Sequence, residues 1–129
     1  MDYNDRVSLD QAKNLGIDFD GVIHDDDLGF HDGTVYGLPI KGSLEAIKLL
    51  SNHFNIIIFT AKAKKDRPVV NGKTGTELVR EWLKKYDVLK YVSDITAEKP
   101  RALLYIDDKG FRFNNWPETV KFINSISEI

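Results

Sequence analysis

With 129 residues the chain can bury one substantial core and is short for two, so a single domain over 1–129 with one active centre is expected. Hydrophobic residues make up 42%, charged residues 29%, and the formal net charge of -2 shows no global basicity that would draw nucleic acid, leaving only local basic patches to do so. The lack of cysteine excludes disulfides and thiolate metal sites, so any metal must be held by oxygen or imidazole, which favours a hard cation.

Residues 1–14 are polar with scattered apolar positions and read as a lead-in. They lack the basic-then-apolar order of a signal peptide, and the apolar runs elsewhere are far shorter than a membrane span, so no membrane partner and a cytoplasmic location are the expectations. Residues 15–20 form an apolar run that stops in Asp18 and Asp20 around Phe19, with Gly21 next. A strand buried on both faces is continuously apolar, so these carboxylates belong at its tip, where the chain leaves the core. An isolated Asp-x-Asp-Gly is equally a turn with solvated aspartates, and the rest of the chain must decide.

Residues 24–39 hold glycines, the run Asp25, Asp26, Asp27 and no sustained period, which is loop or hairpin chemistry. From Ser43 the positions Leu44, Ile47 and Leu50 share a helical face behind Gly42. Residues 54–59 are short, β-branched and nearly all apolar, a second buried strand ending at Thr60 and Ala61. Residues 62–73 carry Lys62, Lys64, Lys65, Arg67 and Lys73 against Asp66, with Pro68 and Gly72, and read as an exposed basic loop. Leu78, Val79, Trp82, Leu83 and Tyr86 make a wide helical stripe, capped by Thr74 or Thr76.

Residues 91–95 are a weaker strand candidate, and 96–100 contain Pro100, which prevents simple helix continuation. Residues 102–106 are a strong strand ending in Asp107 and Asp108; 111–113 suggest an edge strand, and 117–129 a closing helix with Phe122, Ile123 and Ile126 inward. Strands alternating with helices argue for parallel pairing through right-handed crossovers, which brings Asp18, Asp20, Thr60, Asp107 and Asp108 to one sheet edge.

In this order the motifs resemble the haloacid dehalogenase-like hydrolases. Ile17-Asp18-Phe19-Asp20-Gly21-Val22 fits the first family motif, Ile57-Ile58-Phe59-Thr60 the second, Lys99 the third and Leu104-Tyr105-Ile106-Asp107-Asp108 the fourth. The resemblance implies a three-layer, Rossmann-like, mostly parallel α/β sheet with helices on both faces. It also implies a magnesium-dependent phosphomonoester hydrolase acting through an aspartyl-phosphate, since the second Asp separates the phosphatases from the dehalogenases. The ligands of Mg2+ would be Asp18, the Asp20 backbone carbonyl, Asp107 and, directly or through water, Asp108. Members commonly insert a cap after the first motif or between the second and third; both intervals are short here, so a capless member with residues 23–40 as a hairpin flap is expected.

The residue chemistry stands beside that resemblance. Asp18 can attack phosphorus as a carboxylate, and Asp20 can protonate the leaving oxygen and then take a proton from water, a double role that suits a pKa near the working pH. Lys99 offers fixed positive charge, while Thr60 and Ala61 offer a hydroxyl and backbone N–H donors for phosphate. His24 with Asp25 to Asp27 reads as a solvated acidic loop rather than a second metal site, His31 and His53 as surface residues, and Trp116 either covers the pocket or closes the core. A small phosphorylated metabolite is the expected substrate and a nucleic-acid end the next in rank; the competing reading is a phosphate- or nucleotide-binding module without turnover.

Overall fold

The computed structural model describes residues 13–29, 31–107 and 111–127; the expected lead-in, all but its last two residues, and Asp108 lie outside them. Strands β1 (Asn14–Asp18), β2 (Asn55–Phe59), β3 (Val92–Thr96), β4 (Leu104–Asp107) and β5 (Phe111–Arg112) form one sheet in the order β3-β2-β1-β4-β5. Every pairing in it is parallel. With helices α1 (Ser43–Leu50), α2 (Gly75–Lys85) and α3 (Trp116–Ser127) this is an α/β fold. No described helix is long and apolar enough to cross a membrane.

The register Leu15↔Ile56 and Ile17↔Ile58 on one side, and Leu15↔Leu104 and Ile17↔Ile106 on the other, aligns these six side chains on one face, because strand side chains alternate. They share a core with Ile47 and Leu50 of α1, Val79 and Leu83 of α2 and Ile123 of α3, so the described helices sit on that face. α1 also packs against α3.

The opposite face carries Gly16, Ile57, Phe59 and Tyr105, and helices were expected there too. Among the described residues it is crossed instead by a strap, residues 97–103, joining the carboxyl end of β3 to the start of β4. Length explains this. At roughly 3.3 Å per residue an extended strap of this size reaches about 23 Å, enough to run back along a strand, whereas helical rise would take it only about 10 Å. The Tyr105 hydroxyl donates to the Pro100 carbonyl at 2.6 Å and holds the strap against the sheet.

Helix starts follow local chemistry. Thr74, not Thr76, caps α2: its hydroxyl accepts the Glu77 N–H while the Glu77 carboxylate accepts the Thr74 N–H. Asn115 accepts the Glu118 N–H at the start of α3, where Pro117 needs no partner for its nitrogen. Trp116 closes the core, fully buried with its indole N–H on the Val22 carbonyl at 3.1 Å. β3 starts one residue later than expected because Tyr91 completes a short 3-10 turn, Leu89–Tyr91.

Candidate active site

In this strand order the chain steps from β1 through β2 to β3 on one side, while β4 and β5 lie on the other. The order therefore reverses between β1 and β4, and the crevice outside their carboxyl ends is where such sheets bind ligands. Asp18 ends β1 and Asp107 ends β4, each one residue beyond the paired Ile17 and Ile106. Alternation puts both on the Gly16–Tyr105 face. Asp107 is only 3% exposed and pairs with Lys99 Nζ at 2.5 Å. The strap thus delivers Lys99 to the strand ends, with its ammonium 4.9 Å from the Tyr105 ring centroid and 5.9 Å from that of Phe59. A Cβ on Gly16 would come within 2.9 Å of Tyr105 Cδ1, so the bare backbone of β1 is what lets this ring lie across it.

β1 ends two residues earlier than expected because the Phe19 carbonyl turns to accept the N–H groups of Ile23 and His24, both at 2.9 Å. Gly21 sits in this turn at φ 82°, a left-handed conformation that suits glycine. The turn aims Asp20 at the end of β2 and at its own later residue His24. Asp20 Oδ2 accepts from the Thr60 hydroxyl at 3.1 Å, and Oδ1 accepts from Lys62 Nζ at 3.0 Å and lies 3.0 Å from His24 Nδ1. Thr60 also caps the 3-10 turn Ala61–Ala63, its oxygen accepting the Lys62 N–H at 3.2 Å. Its own N–H goes to the Thr96 carbonyl at 2.9 Å. Of the expected phosphate ligands, then, Thr60 faces Asp20, Ala61 sits exposed at the start of that turn, and Lys99 lies on Asp107.

Burial pushes the Asp20 carboxyl up, but the hydrogen bonds from His24, Lys62 and Thr60 and the Lys62 charge outweigh it and hold it below its ordinary value. The acid was expected nearer the working pH; the donors that converge on it favour the carboxylate instead.

Sequence reasoning set His24 aside as part of a solvated acidic loop and placed Lys62 in the exposed basic loop, so neither was expected in the site. His24 is fully buried, not part of a solvated loop: its ring stacks on Phe19 at 5.1 Å and meets the edges of Tyr36 and Trp82. Nε2 accepts the Gly37 N–H at 2.8 Å, which places the ring proton on Nδ1, where it is donated to Asp20. The loop of residues 23–40 is clamped at its neck by Asp25 N–H to Leu38 O and Ile40 N–H to Ile23 O, and the Trp82 indole donates to the Gly37 carbonyl at 2.9 Å. A side chain at Gly37 would strike the Asp25 carbonyl. Asp25 and Asp27 are exposed, as are His31 and His53. Lys62 belongs to the basic loop by sequence yet is 9% exposed. The legible signals are its place two residues after the strand-ending Thr60 and, for His24, its place four residues after Asp20 across a Gly-containing turn.

The donor chemistry suits magnesium in kind. Asp18 and Asp107 end neighbouring strands with carboxylate oxygens, and a hard cation takes such oxygens with a main-chain carbonyl and water. No three His, Asp or Glu side chains converge on one metal position among the described residues, so the fit rests on that pair. No family model matches the chain, and no curated protein or solved structure matches it.

Proposed function

We propose that the protein is a magnesium-dependent phosphomonoester hydrolase of the haloacid dehalogenase-like type, acting through an aspartyl-phosphate on Asp18. The observation that carries this reading is the convergence of Asp18, Asp107 and the Asp20–Thr60–Lys62 network on the carboxyl ends of adjacent parallel strands where the order reverses. The same strand order supports a Rossmann-like reading of the fold, with the strap standing where a three-layer form has helices. Residues 23–40 serve as the flap of a capless site.

Asp18 attacks phosphorus, the bond to the leaving oxygen breaks, and that oxygen takes a proton from Asp20, which has to enter this step in its protonated form, the one its neighbours disfavour. Water then attacks the aspartyl-phosphate while Asp20 removes its proton, releasing phosphate and restoring Asp18. The ionised Asp20 favoured by its neighbours is the form this second step uses. Lys99 and Lys62 bring positive charge to the phosphoryl oxygens, and Thr60 and Ala61 offer donors at the end of β2. Asp18, Asp107, the Asp20 carbonyl and Asp108 would hold Mg2+, which supplies charge neutralisation for the carboxylates and the transferring group.

The test is hydrolysis of an aryl phosphate, whose leaving group needs a proton least, with and without magnesium. Metal-dependent turnover supports the reading. Its absence across a broad phosphoester panel, with orthophosphate still binding, favours the binding module; the small phosphorylated metabolite ranks above a nucleic-acid end as substrate.

A further inference from the structure

Of the three side chains that donate to Asp20, two are adaptable. The Lys62 ammonium rides on a flexible stem, and the Thr60 hydroxyl turns about its own bond. His24 is held. Its backbone bridges to Asp20 on one side and to Pro39 on the other. Its ring is fully buried, with Phe19 stacked on it at 5.1 Å and 4° and with Tyr36 and Trp82 meeting it edge to face at 5.3 and 5.7 Å. Trp82 is also edge-on to Phe19 at 5.2 Å and is tied to the flap neck through the Gly37 carbonyl. The imidazole therefore cannot turn without unpacking its neighbours. With the Gly37 N–H on Nε2 at 2.8 Å, Nδ1 is left as the ring's single donor, aimed at Asp20 Oδ1 from 3.0 Å.

With His24 and Lys62 both on Oδ1, the lone pairs of that oxygen are engaged, whereas Oδ2 accepts from Thr60 alone and keeps room for a proton. The Asp20 side chain stays 22% exposed, so the clamp does not seal it from substrate. We propose that His24 is a positioning residue: it locks the Asp20 carboxylate by Oδ1 and so presents Oδ2 to the leaving oxygen and then to the attacking water. This rests on the phosphatase reading above. A hydrogen bond to Oδ1 also favours the carboxylate form. If that were all His24 contributed, its loss would help the acid step, whereas a lost position hinders it. The two effects have opposite signs, which an experiment can read.

The experiment compares kcat/KM for 4-nitrophenyl phosphate with that for phenyl phosphate, whose leaving oxygen needs a proton far more. In His24→Asn the amide nitrogen falls where Nδ1 lay and still donates to Asp20. In His24→Gln the longer chain reaches the Nε2 position, keeps the Gly37 N–H and leaves Oδ1 without that donor. His24→Gln should lose about tenfold more on phenyl phosphate than on 4-nitrophenyl phosphate, and His24→Asn should stay close to the wild-type ratio. Both esters are measured on one sample, so the ratio is blind to the folded fraction; Ile47→Val, which thins the core beneath α1, should leave it unchanged. Equal losses on the two esters in His24→Gln, or a relative gain on phenyl phosphate, overturn the positioning role and leave the phosphatase reading standing. No turnover of any phosphoester by the wild type with magnesium present removes that reading and this role with it. Nitrogen-15 resonances of the wild-type imidazole need no variant: they should show Nδ1 protonated and Nε2 bare, and a proton on Nε2 overturns the positioning role whatever the kinetics.

Discussion

His24 donates its Nδ1 proton to Asp20 Oδ1 across 3.0 Å while its Nε2 accepts the Gly37 N–H at 2.8 Å, so one buried ring ties the carboxylate to the flap. His24→Ala removes a packed ring and leaves Asp20 and the Gly37 N–H short of partners, and should cost about 3 kcal/mol of stability. Denaturant unfolding at unchanged m measures it. His24→Phe should recover part of that loss by refilling the space, yet turn over phosphoester as poorly as His24→Ala; full activity in His24→Phe would reduce the histidine to filler.

Lys62 and Asp20 are 10% and 22% exposed in their side chains, so their pair is screened less than a surface pair. Lys62→Met keeps the aliphatic stem and removes the charge. Its expected cost is about 2 kcal/mol in stability, because Asp20 stays partly buried without its cation. Turnover should fall at least tenfold beyond any loss of folded protein, which a melt run on the same sample corrects for. A stable, active Lys62→Met would place this lysine outside the chemistry.

Gly16→Ala tests the support beneath Lys99. The added Cβ falls 2.9 Å from the Tyr105 ring, which must shift and carry the ammonium stacked on it away from Asp107. Overpacking of this kind costs about 2 kcal/mol, and a rise in KM for phosphoester should accompany it. Adding Tyr105→Leu makes room for the methyl group; if stability does not recover in that double variant, the clash is not the cause.

The sheet and its acidic tips were legible because buried strands announce themselves: 15–20, 54–59 and 102–106 are apolar runs that stop in Asp or Thr, and the structure puts Asp18, Thr60 and Asp107 at those ends. Loop side chains carry no such period. Lys62 looks like its solvated neighbours Lys64 and Lys65, and only the short turn after Thr60 swings it inward onto Asp20. His24 likewise sits in an acidic stretch whose composition says solvent, but the Phe19 turn buries it. The strap escaped notice because helices were expected on both faces, although Pro100 and the shortness of 97–103 exclude one there.

Thr74→Ala should destabilise the protein by about 1 kcal/mol through loss of the α2 cap. The cap also sets a pH dependence. Hydrogen bonds from the Thr74 backbone and side chain hold Glu77 below its ordinary value of 4.5, so its contribution is present above that value and is lost as pH falls through the lowered one. Glu77→Gln should therefore flatten stability against pH on the acid side. A wild-type and a Glu77→Gln curve that stay parallel there would show the carboxylate contributes nothing.

The most direct measurement is mass spectrometry of the acid-quenched Asp20→Asn variant after mixing with magnesium and an aryl phosphate. Attack by Asp18 still proceeds with so good a leaving group, but water lacks its base, so a phosphoryl adduct should accumulate on the peptide that holds Asp18, at that residue. Turnover without any adduct, or an adduct on Asp107 instead, would contradict Asp18 as the nucleophile.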